Sequence, residues 1–199
     1  MNPNLPSNRE SEVLVLLSGG IDSAACVAFF RRRRNEVSAM FVDYGQVSAA
    51  RERKAAGDIC RHFGIKLNEV RCAGATRKTE GSIRARNALL ACIALMEAGF
   101  SSGVISLGIH SGTDYWDCTK EFAALSQRLF DGYTDGRVRL LLPFLGWSKR
   151  QIWNYCRQVS VPIELTYSCE RGLDQPCHRC SSCRDLEVLR ALPIYSHST

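Results

Sequence analysis

Short apolar runs of strand length alternate with amphipathic helical patterns along most of the chain. The first run, residues 13–17, leads through a glycine-rich turn into a helical stretch over residues 22–33. A continuous apolar run of this length, bounded by turn residues, is typical of a strand buried on both faces. The alternation predicts βαβ units, and hence a doubly wound α/β fold whose mostly parallel sheet carries helices on both faces.

The later elements follow from the same periodicities. In the helix predicted over residues 87–97, Leu89, Ile93 and Met96 share one face, which we expect to be the apolar face turned to the core. The remaining predicted strands cover residues 39–42, 67–71, 104–107 and 138–142, and the remaining predicted helices cover residues 49–63, 119–130 and a segment that begins with a capping box of Ser148 and Gln151.

The size of the chain predicts one domain. It has 199 residues, of which 45% are apolar, and this is enough for one ordinary core. We expect a flexible N-terminal segment over residues 1–11 and an α/β domain over residues 12–160. Residues 161–199, which are rich in cysteine, are expected to pack on that same domain.

Composition and charge narrow the function. The sequence has no uninterrupted apolar run of about 18 residues, and its polar start lacks the apolar core of a signal peptide. The ten cysteines therefore indicate reduced thiols and metal ligation in a cytoplasmic protein that binds no membrane. The net charge of +6 favours anionic ligands such as nucleotides. The four arginines at 31–34 are expected at a solvated helix C-terminus.

The turn at residues 18–23, with the sequence Ser-Gly-Gly-Ile-Asp-Ser, carries the first functional signal. A glycine turn between a buried strand and a helix lets backbone N–H groups approach phosphates. Gly19 and Gly20 supply that freedom, while Ser18 and Ser23 can donate to phosphate oxygens. Asp22 would repel phosphates unless a cation lay between them, which indicates Mg²⁺. The alternative is an ordinary glycine turn in which Asp22 caps the helix.

Four cysteines near the C-terminus form a second constellation. Cys177, Cys180 and Cys183 are each separated by two residues, and Cys169 lies a longer loop upstream. Four thiolates in this arrangement suit tetrahedral Zn²⁺ in a closed, structural site. An iron–sulfur cluster is the alternative, although the fourth cysteine followed by proline of a ferredoxin run is absent. His178 is expected to be exposed rather than a ligand.

Taken together, these motifs resemble the 7-cyano-7-deazaguanine synthase family, which are PP-loop enzymes of the queuosine precursor pathway. The matching segments occur in family order across nearly the whole chain. They are residues 16–23, the Asp-Tyr-Gly-Gln at 43–46, the Arg-Ala-Arg-Asn at 84–87, Asp117-Cys118 with Glu121-Phe122, Ser148-Lys149, and residues 165–183.

The resemblance implies a fold of the PP-loop, adenine nucleotide alpha hydrolase-like type. It also implies that ATP activates 7-carboxy-7-deazaguanine as an acyl adenylate. Ammonia then attacks to give an amide, and a second activation dehydrates the amide to the nitrile, 7-cyano-7-deazaguanine. The implied cofactors are ATP, Mg²⁺ and a Zn²⁺ held by the four cysteines, and the implied assembly is a homodimer.

Site roles follow from position in this architecture. Arg86 and Asn87 open a helix after the third strand and are candidates to bind phosphate or the acyl group. Asp114 and Asp117 suit the N1–H and amine of a guanine-like edge, with loop capping as their alternative, and Gln46 joins them as a substrate contact. The predicted nucleotide site comprises Ser18, Gly19, Gly20, Asp22, Ser23, Phe41 and Tyr44, and the predicted catalytic set comprises Asp22, Ser23, Arg86 and Asn87.

Two departures from the family pattern leave alternatives open. The family's longer insertion between Val70 and Arg86 is replaced by a short link that contains Lys78, and the Ser-Gly-Tyr-Pro stretch before Asp117 is absent. Shortened relatives occur in anti-phage defence, where the activated deazaguanine is joined to a protein amine. A tRNA-thiolating enzyme or a zinc-containing nucleic-acid-binding module are further alternatives, although we expect no stable nucleic-acid binding.

Overall fold

Five strands form one sheet in the computed structural model, which describes residues 11–74, 83–113 and 115–192. All four pairings between neighbouring strands are parallel, so the predicted fold class is confirmed. The strands are β1 (Glu12–Leu16), β2 (Glu36–Asp43), β3 (Leu67–Arg71), β4 (Gly103–Leu107) and β5 (Val138–Leu141). The helices are α1 (Ile21–Arg31), α2 (Ala49–Phe63), α3 (Arg86–Glu97), α4 (Lys120–Thr134), α5 (Lys149–Gln158) and α6 (Ser181–Arg190), with 3₁₀ turns at Trp116–Cys118 and Ile163–Leu165.

The strand order places a crevice at the centre of the sheet. The order is β3-β2-β1-β4-β5, so the chain first builds outward from β1 in one direction and then returns to add β4 on its other side. In open α/β sheets, ligands bind outside the carboxyl ends of the strands at such a reversal of strand order. The turn after β1 and the segment after β4 both lie at this position.

Alternate side chains of the strands build two apolar layers. In β1, Val13 and Val15 pack with one cluster, whereas Leu14 and Leu16 pack with the other. Helices α1, α2 and α5 contribute to the first cluster, and α3 and α4 contribute to the second. Because both faces are covered, β1 carries apolar residues at every inner position rather than in alternation.

Two helix boundaries agree closely with their sequence signals. The Ser148 side chain accepts from the N–H of Gln151, and the Gln151 side chain accepts from the N–H of Ser148, so the predicted capping box is formed. Helix α2 ends at Gly64, which has the left-handed conformation expected of a C-terminal glycine. Of the helices in the described ranges, none is both long and apolar enough to cross a membrane.

The predicted inner face of α3 is wrong in two of its three residues. Ile93 is buried, but Leu89 is 45% exposed and Met96 is 73% exposed. The buried face instead includes Asn87, Ala91 and Ala94. The reason is that α3 is apolar on nearly every side, so the periodicity could not identify which side faces the sheet.

The first turn of α1 packs directly on the end of β4. A Cβ atom at Gly108 would lie 2.7 Å from the backbone carbon of Asp22 and 2.8 Å from the nitrogen of Ser23. Both atoms belong to the helix backbone and cannot move independently. Glycine is therefore required at this position by close approach rather than by conformation.

We predict that Gly108→Ala lowers the free energy of unfolding by about 1–3 kcal/mol, the usual effect of overpacking a close contact. Urea denaturation measures this change. Gly146→Ala is the matched control, because a Cβ there meets no atom within 4 Å. Equal stability of the two variants would contradict the close packing.

Candidate functional site

The turn between β1 and α1 has a fixed, compact conformation. Gly19 has a φ of +79°, and a Cβ there would lie 2.6 Å from the backbone oxygen of Glu52. The N–H of Gly20 donates to the Ser18 hydroxyl oxygen (3.4 Å), which lies 3.3 Å from the Ser23 hydroxyl. The Ser23 hydroxyl donates to the carbonyl of Gly20 (2.9 Å). The turn therefore leads into the N-terminus of α1 with both hydroxyls on one side, an arrangement that suits phosphate oxygens.

Asp22 lies in the first turn of α1 and forms an ion pair. Its Oδ2 accepts a hydrogen bond from the ammonium of Lys149, the first residue of α5. The Nε2 of His110 lies 3.9 Å from the same oxygen. Asp22 Oδ1 is buried and has no hydrogen-bond partner within the ranges that the structure describes. This unpartnered oxygen is where a further cation would fit.

The state of His110 follows from its contacts. The N–H of Gly112 donates to His110 Nδ1 (3.0 Å), so the neutral ring carries its proton on Nε2, which faces Asp22. Burial lowers the pKa of His110, and the nearby Asp22 opposes that shift. His110 is thus a neutral ring whose Nε2–H faces the carboxylate from beyond hydrogen-bonding distance.

A cavity of about 280 Å³ lies at the carboxyl edge of the sheet, above the crevice. Its walls come from the β1–α1 turn, the ends of β2 and β4, the start of α3 and α5, and the segment that carries the cysteines. Of the predicted site residues, those that line it are Ser18, Gly20, Asp22, Ser23, Phe41, Tyr44, Gln46, Arg86 and Asn87.

Gln46 organises the loop after β2. Its Oε1 accepts from the N–H of Tyr44 (2.9 Å), and its Nε2 donates to the Val42 carbonyl (3.1 Å) and to Glu52 (2.9 Å). The second carboxylate oxygen of Glu52 accepts from the Ser48 hydroxyl (2.7 Å). Gln46 is therefore engaged by the protein itself, and its role as a substrate contact stays a prediction.

Arg86 connects this loop with α3. It lies near the Tyr44 hydroxyl and near Glu52, and in both cases its positive charge opposes an upward shift of the pKa that burial causes. Arg86 is partly buried and lines the cavity. This placement suits a role in binding an anionic group of nucleotide or substrate.

Asp117 contacts the start of α3 rather than the cavity. Its Oδ2 accepts from the backbone N–H of Asn87 (3.4 Å), and the Asn87 side chain donates to the Asp117 carbonyl (3.4 Å). Asp117 thus caps the N-terminal turn of α3. The alternative that it caps its own loop stays a prediction. Asp114 lies outside the described residues, so the predicted pair that reads the base edge stays a prediction.

Several residues that line the cavity were given no role by sequence reasoning, and three of them have polar side chains that bear on the site. They are Lys149, Glu52 and Tyr167. Lys149 and Tyr167 belong to segments that carry the family resemblance, so position within a matching motif was the one available signal. No local pattern indicated that Lys149 would meet Asp22, which is 127 positions away.

The four cysteines converge as the spacing predicts. The sulfurs of Cys169, Cys177, Cys180 and Cys183 all lie within 4.8 Å of one another. The N–H groups of Cys180 (3.3 Å) and Arg179 (3.5 Å) donate to the Cys177 sulfur, and these bonds lower the pKa of Cys177 to about 6. A pre-formed set of four sulfurs, one held towards its thiolate form, fits Zn²⁺ and also an iron–sulfur cluster.

His178 is not part of this cluster. It has a positive φ of 56° in the turn between two ligands, is exposed, and its ring pairs with Glu187 on α6. The predicted exposure is confirmed.

The cysteine segment is attached to the β1–α1 turn. The N–H of Tyr167 donates to the Gly19 carbonyl (2.9 Å). Gly172 packs so closely on the loop before α2 that a Cβ there would lie 2.6 Å from the Val47 carbonyl oxygen. Leu189 of α6 is buried in the first apolar cluster. The segment therefore forms one wall of the cavity and is hydrogen-bonded directly to the β1–α1 turn.

Sequence comparisons match this chain to one family. A family model described as queuosine biosynthesis protein QueC matches residues 12–83 and 75–189. The 7-cyano-7-deazaguanine synthase of Prochlorococcus marinus (strain NATL1A) is 31% identical over 208 positions, which cover 88% of this chain and 91% of the relative. The protein of the same name from Sulfurihydrogenibium sp. (strain YO3AOP1) is 27% identical over 208 positions and covers 90% of this chain and 94% of the relative.

Solved structures with a similar fold have low sequence identity. The U34-tRNA thiolase NcsA from Methanococcus maripaludis, with its [4Fe-4S] cluster, has a TM-score of 0.53 and 14% identity, and the match covers 90% of this chain and 63% of the thiolase. NMN synthetase from Francisella tularensis has a TM-score of 0.51 and 15% identity, covering 94% and 79%. These likenesses show the PP-loop type of fold and carry no information about the substrate of this chain.

We predict that Cys180→Ser reduces the bound metal from one ion or cluster per chain to less than about a tenth, because a structural site depends on all four ligands. Elemental analysis of purified protein measures this. Cys92→Ser is the matched control, since Cys92 is exposed on α3 and outside the cluster.

The same measurement distinguishes the metals. Zinc with no visible absorption is the expected result. Iron with a brown colour would overturn the zinc assignment, and a chain that binds neither metal would overturn the metal site altogether.

Proposed function

The chain belongs to the QueC family of queuosine biosynthesis proteins, and from this membership we propose that it uses ATP to convert 7-carboxy-7-deazaguanine into 7-cyano-7-deazaguanine. Family membership itself shows that the chain is an ATP-dependent enzyme of the 7-cyano-7-deazaguanine synthase type. The identity of the substrate and the steps below are the proposal.

The observation that carries the proposal is the arrangement at the crevice. The turn with Ser18 and Ser23, the carboxylate of Asp22 and the guanidinium of Arg86 all border one cavity at the carboxyl edge. An acid that is to be adenylated must lie beside the α-phosphate, with the pyrophosphate in the adjoining turn. A single cavity lined by anion-binding groups provides that geometry.

The proposed reaction has four covalent steps. A carboxylate oxygen of the substrate attacks the α-phosphorus of ATP, the bond to the β-phosphate oxygen breaks, and pyrophosphate leaves with the electron pair. Ammonia attacks the acyl carbon, loses a proton, and expels AMP to give the amide. The amide oxygen then attacks the α-phosphorus of a second ATP, and pyrophosphate leaves again. Cleavage of the C–O bond releases AMP, and loss of both N–H protons gives the nitrile.

The chain's own residues stabilise the charge that these steps develop. The Ser18 and Ser23 hydroxyls and the N-terminus of α1 bind the departing pyrophosphate, and Arg86 attracts the carboxylate or the α-phosphate. Mg²⁺ bound at Asp22 would neutralise the remaining phosphate charge, and the unpartnered Asp22 Oδ1 fits such an ion. The four cysteines are assigned a structural Zn²⁺ outside the chemistry.

A second acceptor is favoured by a specific observation, the short link after β3. The alignment with the Sulfurihydrogenibium relative has 208 positions and includes 90% of the 199 residues of this chain, which is about 179 residues. About 29 positions of the relative therefore have no counterpart in this chain. Both parts of the family-model match include residues 75–83, so two stretches of the family align to this one stretch. Residues 75–82, including Lys78, lie outside the described structure.

A shorter link bears on the nucleophile. A cover over an acyl adenylate excludes water, which would otherwise hydrolyse it. With less chain available for a cover, a protein N-terminus or lysine side chain has room to enter as the acceptor and to close the site itself. Ammonia remains the first proposal because most of the chain matches the family.

We predict that wild-type enzyme releases pyrophosphate from ATP when 7-carboxy-7-deazaguanine is present, and that Asp22→Asn slows this release at least about 100-fold. The carboxylate is needed to hold the cation, whereas the amide can still pack in its place. Coupled pyrophosphate detection and circular dichroism measure rate and fold. Lys54→Met on the outer face of α2 is the control and keeps the wild-type rate.

Mass spectrometry of the same reaction identifies the acceptor. Nitrile formed with ammonia alone supports the first proposal. If ammonia gives no nitrile, but a protein encoded beside the enzyme gains the mass of the deazaguanine acyl group, the conjugation proposal replaces it. Normal pyrophosphate release by Asp22→Asn would remove Asp22 from the chemistry.

We also propose that two copies of the chain associate through α3 and α4. Between Arg86 and Glu97, α3 has no charged residue, and a helix that is apolar on all sides is normally buried on all sides. Both helices lie on the same face of the sheet. Their outward apolar residues are spaced three or four apart, and they are Leu89, Cys92 and Met96 on α3 and Leu125, Leu129 and Tyr133 on α4.

We predict that Met96→Glu converts a dimer into a monomer, because a charge placed within an apolar contact is costly to desolvate. Size-exclusion chromatography with light scattering gives the mass. Val188→Glu is the control, since Val188 is equally apolar and exposed but lies on α6. A monomeric wild-type chain, or a dimer that survives Met96→Glu, would contradict this interface.

A further inference from the structure

We infer that Lys149 holds the place of the metal ion on Asp22 and moves to the nucleotide phosphates when metal and nucleotide bind. This rests on the proposed function in one respect, the binding of a metal–ATP complex at the β1–α1 turn. It adds a role for Lys149, which is to exchange one cation for another on the same carboxylate.

The contact is fixed from both sides. Asp22 lies in the first turn of α1, and Lys149 is the first residue of α5, which the capping box of Ser148 and Gln151 holds in place. The two helices pack together in the first apolar layer. The side chains of the pair are 20% and 28% exposed, so water screens their attraction only in part.

Without nucleotide, Lys149 neutralises the charge of Asp22. Asp22 is needed beside the phosphates but would stand largely buried and unneutralised in their absence. A buried charge that loses its partner is strongly unfavourable. The ammonium of Lys149 removes that cost at Oδ2 and leaves Oδ1 without a partner among the described residues.

With the metal bound, the pair becomes unfavourable. A divalent cation and an ammonium on the same carboxylate would lie within a few ångströms and repel each other. The lysine side chain has a flexible four-carbon stem, and Lys149 lines the same cavity as Ser18 and Ser23. Its ammonium can therefore leave Asp22 for the phosphate oxygens, where a further positive charge is favourable.

His110 provides the part of the site that does not exchange. Its Nε2–H faces Asp22 Oδ2 at 3.9 Å, while Nδ1 is held by the N–H of Gly112. At this distance a neutral imidazole forms neither a hydrogen bond nor an ion pair with Asp22, so it competes with neither cation. Asp22 therefore keeps a fixed neighbour while its cation changes.

The test measures nucleotide binding in the absence of the acid substrate. It uses α,β-methylene-ATP, which cannot transfer its adenylyl group to an acid. Calorimetry gives the affinity of the analogue over a range of Mg²⁺ concentrations. In Lys149→Met, the Mg²⁺ concentration for half-maximal binding should fall about fivefold, as expected when a competing partly exposed ion pair is removed. Affinity for the analogue without metal should fall at least tenfold, because the phosphates lose a cation.

Further variants of Lys149 and Asp22, with one control, test the exchange independently. Lys149→Gln keeps a hydrogen-bond donor without charge and serves if Lys149→Met does not fold. Asp22→Asn should make binding of the analogue nearly independent of Mg²⁺. Lys54→Met removes an exposed lysine that pairs with Asp58 four residues along α2, and should change neither quantity. Electron paramagnetic resonance of Mn²⁺ with the analogue reports the metal site directly.

The outcomes distinguish failure of the cation exchange from failure of the proposed function. An unchanged or higher Mg²⁺ midpoint in both Lys149 variants, with normal binding by wild type, overturns the exchange alone. A shifted midpoint in an enzyme that does not act on 7-carboxy-7-deazaguanine overturns only the proposed substrate. Failure of the wild-type chain to bind the analogue at all overturns both.

Discussion

The close packing around the β1–α1 turn is the constraint on which the rest of the site depends. Gly108 at the end of β4 lies against the backbone of Asp22 and Ser23, and Gly19 lies against the backbone of Glu52 in α2. The turn is therefore held by strand β4 on one side and helix α2 on the other, at distances that permit no side chain. Any shift of either element moves the hydroxyls and N–H groups that are to bind phosphate, so the precision of the site derives from backbone contacts.

Local signals were sufficient for the fold and for the position of the glycine turn between β1 and α1. The residues of α2 and β3 were predicted at their observed bounds, and the capping box placed the start of α5. Long-range contacts were not accessible in this way. The inner face of α3 was misassigned because its apolar residues surround the helix, and the pairing of Lys149 with Asp22 depends on how α1 and α5 pack. Such contacts are decided by tertiary packing, which leaves no periodic signal in the sequence.

The cysteine segment is more than an attachment at the end of the chain. The N–H of Tyr167, two residues before Cys169, donates a hydrogen bond to the β1–α1 turn. Helix α6 begins directly after Cys180, and its Leu189 packs in the first apolar layer. Metal binding and folding are linked wherever the free ligands are disordered without the ion. A metal bound by the four cysteines would therefore order one wall of the cavity as well.

The charges around the cavity are balanced before any ligand arrives, and this has a consequence for catalysis. Asp22 is paired with Lys149, and Glu52 faces Arg86 and receives hydrogen bonds from Gln46 and Ser48. Nucleotide brings several negative charges into this set, so it can bind only if cations are added or released from their partners. Asp22 with Lys149 is the pair that borders the phosphate-binding turn, whereas Glu52 is anchored by two neutral donors that do not depend on Arg86. The nucleotide should therefore reorganise the Asp22 side of the cavity and leave the Glu52 side in place, so that the loop after β2 stays a rigid support while charge is redistributed opposite it.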